Sequence, residues 1–133
     1  MEKTFAIVKP NAVKKSCIGK IIAMAEDAGL KVVAAKMHTL STKEASGFYA
    51  EHSARPFFAS LTTFMTSGPV VLLVLEADNG VEKWRKLMGA TDPAKAAPGT
   101  IRKLYGDSIE ANSTHGSETL AAAQREIAFF FDK

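Results

Sequence analysis

Residues 69–75 limit the possible folds of this chain most strongly, because every residue in this stretch is apolar. A strand that is apolar on both sides must be covered on both faces, so the stretch predicts a central strand of a sheet. It is far too short to cross a bilayer, which takes about 20 apolar residues. A chain of 133 residues fits one domain with one core. We therefore expect a single domain over residues 1–133.

Composition and charge argue against several classes of protein. The net charge of +3 is mild and favours anionic ligands such as nucleotides. Dense Lys/Arg blocks are lacking, so we expect no nucleic-acid partner. The first residues lack the layout of a signal peptide, and the single cysteine, Cys17, suits a reducing compartment. These features predict a cytoplasmic protein without a membrane partner.

The periodicity of apolar residues predicts the remaining strands and helices. Besides residues 69–75, strands are predicted over residues 4–8, 31–40 and 113–115. Helices are predicted from residue 18, from the capping box at residues 41–44, from Pro56, after Asp78 or Asn79, and around residues 121–125. Residues 89–112 lack periodicity and are predicted to be a long loop. The order predicts a ferredoxin-like α+β fold, a βαββαβ antiparallel sheet with helices on one face and a long loop before the last strand.

His115 is the residue whose surroundings are most suited to chemistry. It lies in the segment Asn-Ser-Thr-His-Gly-Ser-Glu at residues 112–118, where the loop turns into a helix. Helix N-termini attract phosphate, and a histidine can be a neutral nucleophile near neutral pH. Taken alone, His115 fits a phosphate-binding nucleophile, a general base or a metal ligand.

Phosphate binding in this chain would have to use side chains, because the sequence contains neither a P-loop nor a G-x-G-x-x-G motif. No His/Cys/Asp/Glu cluster has zinc spacing either. Arg85, Thr91 and Arg102 lie in or near the long loop, and two guanidinium groups with a hydroxyl can bind successive phosphates. Each also has an ordinary explanation, the arginines as solvated surface and Thr91 as a cap.

Residues 112–118 resemble the N-x-x-H-G-S-D motif of the nucleoside diphosphate kinases. Further blocks are similar to that family's and follow in its order, at residues 6–13, 55–58, 66–69, 89–93 and 98–102. The resemblance spans residues 4–131, nearly the whole chain. It implies an enzyme that transfers the γ-phosphate of a nucleoside triphosphate, typically ATP, to a nucleoside diphosphate. The implied mechanism is ping-pong, through a phosphohistidine formed at the Nδ1 nitrogen of His115.

The resemblance also implies roles for other residues of the site. The implied catalytic set is His115, Lys9, Glu126, Ser117 and Tyr49. The implied nucleotide-binding set is Lys9, Phe57, Arg85, Thr91, Arg102, Ile109 and Asn112. In these roles Lys9 stabilises charge on the transferring group, Asn112 contacts the ribose, and the base stacks on Phe57 with Ile109 opposite. Glu126 helps to orient the histidine.

Magnesium bound with the nucleotide is the implied cofactor. The resemblance implies no direct metal ligand from the chain, and Glu118 would contact the metal through a water molecule. Glu118 and Thr119 depart from the family pattern, which has Asp and Ser. Glutamate keeps the charge but adds one methylene, so we expect activity to survive. Family members are homo-oligomers, which implies a tetramer or a hexamer. The aromatic residues 129–131 are expected to dock on their own fold or on a neighbouring subunit.

Two other functions stay open on the sequence. A binding or regulatory module would keep the fold without turnover, although the intact Lys9, Arg85, Arg102, Asn112 and His115 argue against decay. A single-stranded nucleic-acid binder would use a ferredoxin-like sheet, but the basic and aromatic strand pattern of such readers is lacking. We interpret the remaining histidine near the site, His52, as a surface residue.

Overall fold

The computed structural model describes residues 1–131, and within them one sheet of four strands forms the centre of the fold. The strands are β1 (Glu2–Val8), β2 (Lys31–His38), β3 (Val70–Ala77) and β4 (Thr114–Gly116). Their order across the sheet is β2-β3-β1-β4, and every neighbouring pair is antiparallel. The predicted ferredoxin-like α+β class is confirmed, and all four predicted strands are present.

Helices connect these strands and cover them. They are α1 (Pro10–Lys14), α2 (Ile18–Asp27), α3 (Thr42–Phe48), α4 (Phe58–Met65), α5 (Gly80–Met88), α6 (Ile101–Tyr105) and α7 (Leu120–Phe131). Short 3-10 turns lie at Ala50–His52 and Pro93–Lys95. Among the described residues, no helix is long and apolar enough to cross a membrane.

The structure corrects one detail of the predicted fold, because helices cover both faces of the sheet rather than one. Alternate residues of β1 enter two separate apolar clusters. Ala6 and Val8 pack with α2 and α5 on one face, whereas Phe5 and Ile7 pack with α3, α4 and α7 on the other. The physical reason is that β1 and β3 are apolar on both sides, so neither face can be left in water.

One helix start differs from the prediction, and one predicted helix is capped in a different way. The helix expected from Pro56 begins at Phe58, because Pro56 belongs to a turn closed by the Phe58 amide and the Arg55 carbonyl. Asn79 is the N-cap residue of α5, but its side chain accepts no capping bond. The Glu2 carboxylate accepts from the Val81 amide at 2.8 Å instead, so β1 supplies the negative charge at the helix N-terminus.

The long loop predicted over residues 89–112 contains regular structure. The Thr100 hydroxyl accepts from the Lys103 amide and caps α6, and the Asp92 carboxylate accepts from the Ala94 amide at the Pro93–Lys95 turn. Neither α6 nor the short helix α1 was predicted. Both are too short to show an apolar period, and such helices depend on their caps and packing.

The aromatic C-terminal segment docks on its own fold. Phe130 is buried, with its ring centroid 5.7 Å from that of Phe5 and 5.4 Å from that of Phe48. This contact closes the core of the face that carries α3, α4 and α7, and it anchors α7 against β1.

Candidate active site

A cavity of about 760 Å³ opens beside β4, between α4, the loop after α6 and the first turns of α7. The structure brings nearly all of the predicted site residues to its wall. These are Lys9, Tyr49, Phe57, Arg85, Thr91, Arg102, Ile109, Asn112, His115, Glu118 and Glu126. Ser117 is fully buried behind the wall and reaches the cavity only through Glu126.

The backbone on either side of His115 is held rigidly. His115 is paired with Ile7 in the ladder between β4 and β1, and its carbonyl accepts a hydrogen bond from the Trp84 indole at 3.2 Å. Ser113, two residues earlier, has a φ of 76°, the left-handed region that is uncommon outside glycine. Strained backbone of this kind clusters at functional sites, where the surrounding structure holds it.

Gly116 is required by the close approach of α5 to β4. A Cβ atom at this position would lie 2.6 Å from Trp84 Cδ1 and would also overlap the methyl group of Met88. Both neighbours are buried, so neither can move aside freely. The glycine therefore lets the indole approach the strand that carries the histidine.

We expect Gly116→Ala to lower the free energy of unfolding by about 1–3 kcal/mol, because it overpacks a buried contact. Gly19→Ala is the matched control, since nothing lies within 4 Å of a Cβ there and the position is helical. Urea denaturation of both variants checks the prediction. The control is expected to raise the free energy of unfolding by about 0.4–1 kcal/mol, because alanine restricts the unfolded chain more than glycine does. Equal stability of the two variants would therefore contradict the prediction.

The orientation of the His115 ring is set by a buried carboxylate. His115 Nε2 lies 3.0 Å from Glu126 Oε1, which also accepts from the Ser117 hydroxyl at 2.7 Å. Burial alone raises the pKa of Glu126, but the interactions with His115 and Ser117 outweigh it and lower the pKa below its ordinary value. An ionised carboxylate can only accept, so Nε2 donates. In the neutral ring, the Nδ1 nitrogen then keeps an unshared lone pair.

Aromatic side chains surround the His115 imidazole on its other sides. The ring centroid of Phe48 lies 5.2 Å away, that of Phe5 6.2 Å and that of Tyr49 6.3 Å. Burial, and secondarily the charge of Glu126, raises the pKa of Tyr49, so its hydroxyl stays protonated. That buried hydroxyl has no hydrogen-bond partner within the described part of the chain.

Lys9 is a buried cation at the inner end of the cavity. Its Nζ donates to Asn112 Oδ1 at 2.9 Å, and Asn112 in turn donates to the Thr91 carbonyl at 3.0 Å. Burial, followed by the charge of Arg102, lowers the pKa of Lys9 to about 7, against a smaller opposing effect of Glu110. No carboxylate is bonded to its ammonium among the described residues. An anion entering the cavity would therefore meet an uncompensated positive charge.

Two arginines extend the positive charge from Lys9 toward the mouth of the cavity. Arg102 is fixed by bonds to the Gly89 and Thr114 carbonyls, both at 3.0 Å. Burial and the nearby Arg85 charge lower the pKa of Arg102 to about 10, so it stays charged at neutral pH. Arg85 is exposed and bonds only weakly to the Glu118 carbonyl, at 3.5 Å. Three cationic side chains around one cavity, none of them in an ion pair with a carboxylate among the described residues, are typical of phosphate binding.

The outer end of the cavity is apolar and open. Phe57 and Ile109 are exposed, at 46% and 60%, although large apolar side chains are usually buried. His52 belongs here too, with its ring centroid 5.7 Å from that of Phe57. The interpretation of His52 as a surface residue is therefore incomplete. It is partly exposed, but it lines the cavity.

Sequence reasoning missed several residues of this site. Arg125 lines the cavity and lies 3.8 Å from Glu126 Oε2, and Glu110 lines it beside Ile109. The supporting bond from Trp84 was also missed, although a buried indole usually finds an acceptor. The residue types of Arg125 and Glu110 gave no sign of a role in the site. They reach the cavity through the packing of α7 and of the loop after α6.

The cavity combines a buried cation, two arginines and an imidazole oriented by a carboxylate. This combination defines the class of enzymes that transfer phosphoryl groups. A family model described as nucleoside diphosphate kinase matches residues 2–133 of the chain. The nucleoside diphosphate kinase of Bdellovibrio bacteriovorus is 54% identical over 133 residues, covering 100% of this chain and 94% of that protein.

Solved structures agree with this match. The nucleoside diphosphate kinase of Aquifex aeolicus is 40% identical, with a TM-score of 0.95 over 98% of this chain and 94% of that one. The Halobacterium salinarum enzyme, solved in complex with CDP, is 46% identical, with a TM-score of 0.95 over 99% and 88% of the two chains. The chain belongs to the nucleoside diphosphate kinase family. Enzymes of this family transfer a terminal phosphate between nucleotides through a phosphohistidine.

Proposed function

We propose that His115 carries the phosphoryl group in this reaction. The observation behind the proposal is the bond between His115 Nε2 and the Glu126 carboxylate at 3.0 Å, because it leaves Nδ1 free to attack. Nδ1 forms a bond to the γ-phosphorus while the bond to the β-phosphate oxygen breaks, and a nucleoside diphosphate leaves. A terminal oxygen of a second nucleoside diphosphate then attacks the phosphohistidine and restores the imidazole. Ser117 and Tyr49 support this centre, Ser117 through its bond to Glu126.

The nucleotide is proposed to lie along the cavity with its phosphates inward. Lys9, Arg85, Arg102 and the Thr91 hydroxyl would bind the phosphates, and Asn112 would bind the ribose. The base would stack on Phe57 with Ile109 opposite, which fits the exposure of these two apolar side chains. The Halobacterium salinarum enzyme solved with CDP supports nucleotide binding in this fold.

Magnesium is proposed to enter with the nucleotide. The described residues hold no group of three or more His, Cys, Asp or Glu side chains that could hold a metal ion. The donor set therefore fits a metal held mainly by phosphate oxygens, with the exposed Glu118 at the cavity wall as a partner through water. When bound, the metal would neutralise charge on the phosphates.

Glu118→Asp, which restores the family's residue, is expected to change turnover by less than about tenfold, because it keeps the carboxylate and alters only its reach. Steady-state assays with Mg²⁺ and Mn²⁺ check this expectation, with Glu118→Gln as the variant that removes the charge. A complete loss or a hundredfold gain of turnover in Glu118→Asp would contradict it.

We also propose that residues 1–133 act as one nucleoside diphosphate kinase domain, in the cytoplasm, as a tetramer or a hexamer. Strand β2 lies at an edge of the sheet and exposes Val33 and Met37, at 39% and 58%. An exposed apolar edge strand is a template for pairing with another chain, which supports self-association. Sedimentation equilibrium measures the oligomeric state, and a monomer at micromolar concentration would contradict this part of the proposal.

The labelling experiment tests His115 directly. Incubation with γ-labelled ATP and Mg²⁺, without an acceptor, is expected to give a phosphoprotein that is labile in acid and stable in base. Addition of a nucleoside diphosphate is expected to remove the label. Absence of label in the wild type, or label that survives His115→Ala, would overturn the proposal.

A further inference from the structure

Glu110 connects two parts of the cavity that have separate tasks in the proposed function. Its carboxylate accepts a hydrogen bond from the Ser60 hydroxyl at 2.9 Å, and Ser60 lies on α4, next to the base-binding Phe57. Its main-chain carbonyl accepts from Lys9 Nζ at 3.4 Å. Glu110 also adjoins Ile109, the other apolar wall. One residue thus contacts the α4 side of the base cleft and the buried cation at its inner end.

We propose that Glu110 is a positioning residue: its side chain holds the two base-binding walls at a set distance, and its main chain holds the Lys9 ammonium. The inference rests on the proposed roles of Lys9, Phe57 and Ile109. Phe57 and Ser60 are three residues apart at the start of α4 and therefore lie on the same side of the helix. The Ser60 bond consequently joins the wall that carries Phe57 to the loop that carries Ile109.

The charge of Glu110 acts on the same lysine. The charged groups that shift the pKa of Lys9 are Arg102, which lowers it, and Glu110, which raises it. The neutral Asn112 amide contacts the ammonium from the same loop. If Glu110 loses its charge, the pKa of Lys9 falls further, and the protonated form is lost at lower pH. Glu110 therefore favours the form of Lys9 that can stabilise a transferring phosphoryl group.

Two variants separate these effects. Ser60→Ala removes the bond across the cleft and keeps the Glu110 charge, whereas Glu110→Gln keeps an acceptor for Ser60 and removes the charge. The matched controls are Thr63→Ala, an exposed position on the same helix, and Glu26→Gln, an exposed carboxylate on α2.

Ser60→Ala is expected to weaken ADP and CDP binding about twofold to fivefold, the size typical of one hydrogen bond, and to leave kcat nearly unchanged. Its affinity for ribose 5-diphosphate, which lacks a base, should match that of the wild type. Glu110→Gln is expected to move the alkaline limb of the pH profile of kcat/KM to lower pH. Isothermal titration calorimetry and pH-dependent assays measure these effects.

An unchanged ADP affinity in Ser60→Ala, an equal loss for ribose 5-diphosphate, or an unmoved alkaline limb in Glu110→Gln would overturn the inference. Labelling of His115 is measured in the same variants. If the wild type and the variants take up label but these shifts do not occur, the inference fails while the proposed function stands. If the wild type takes up no label, the proposed function itself fails.

Discussion

His115→Ala is expected to lower kcat/KM by at least about 10⁴-fold and to abolish the phosphoenzyme, because it removes the imidazole that is proposed to accept the phosphoryl group. The imidazole is held by Glu126 on one side and by the rings of Phe48 and Tyr49 on others. Alanine removes the nitrogen that is proposed to attack and leaves this frame in place. Stopped-flow measurement of the first half-reaction, in which ATP phosphorylates the enzyme, gives the loss of rate directly.

His38→Ala is the matched control for this prediction. His38 lies on β2 and pairs with Glu44 at 3.0 Å, and it does not line the cavity. This variant is expected to keep wild-type turnover and a full yield of phosphoenzyme. A labelled phosphoenzyme in His115→Ala would show that another residue is the nucleophile.

Lys9→Met is expected to lower kcat about 10²–10³-fold, because it removes a preorganised cation from a buried site where charge develops in the transition state. Methionine fills a similar volume, so the cavity keeps its shape. In the proposed mechanism the protonated amine is the active form, and the pKa of Lys9 is lowered to about 7 in the protein without nucleotide. The wild-type kcat/KM should therefore fall as the pH rises through about 7, and the variant should lack this limb.

The stability of the same variant separates lost chemistry from lost folding. The pKa of Lys9 is lower in the folded protein than in the unfolded chain, so the unfolded chain binds more protons between these two pKa values. Wild-type stability should consequently rise with pH above about 7, by linkage. Lys9→Met should be at least as stable as the wild type at pH 6, as thermal unfolding can measure. A marked loss of stability would assign the loss of activity to unfolding instead.

Local patterns in the sequence carried the prediction of the strands and of the longer helices. The apolar run that became β3 and the capping box of α3 are signals within a few residues of each other. In contrast, α6 is too short to show an apolar period and depends on packing, and the N-terminus of α5 depends on a carboxylate from the far strand β1. Signals of these kinds cannot be found in a short window of sequence.

For the site, the sequence by itself determined the residue types and, through the resemblance, the family, and it led to the prediction that His115 is the nucleophile. The tertiary structure alone decided which groups meet. Glu126 contacts His115 because α7 crosses β1, and Glu110 reaches both Ser60 and Lys9 because the loop after α6 closes over the cavity. The physical reason is that hydrogen bonds and charge interactions act over a few ångströms in space. Distance along the chain does not predict them.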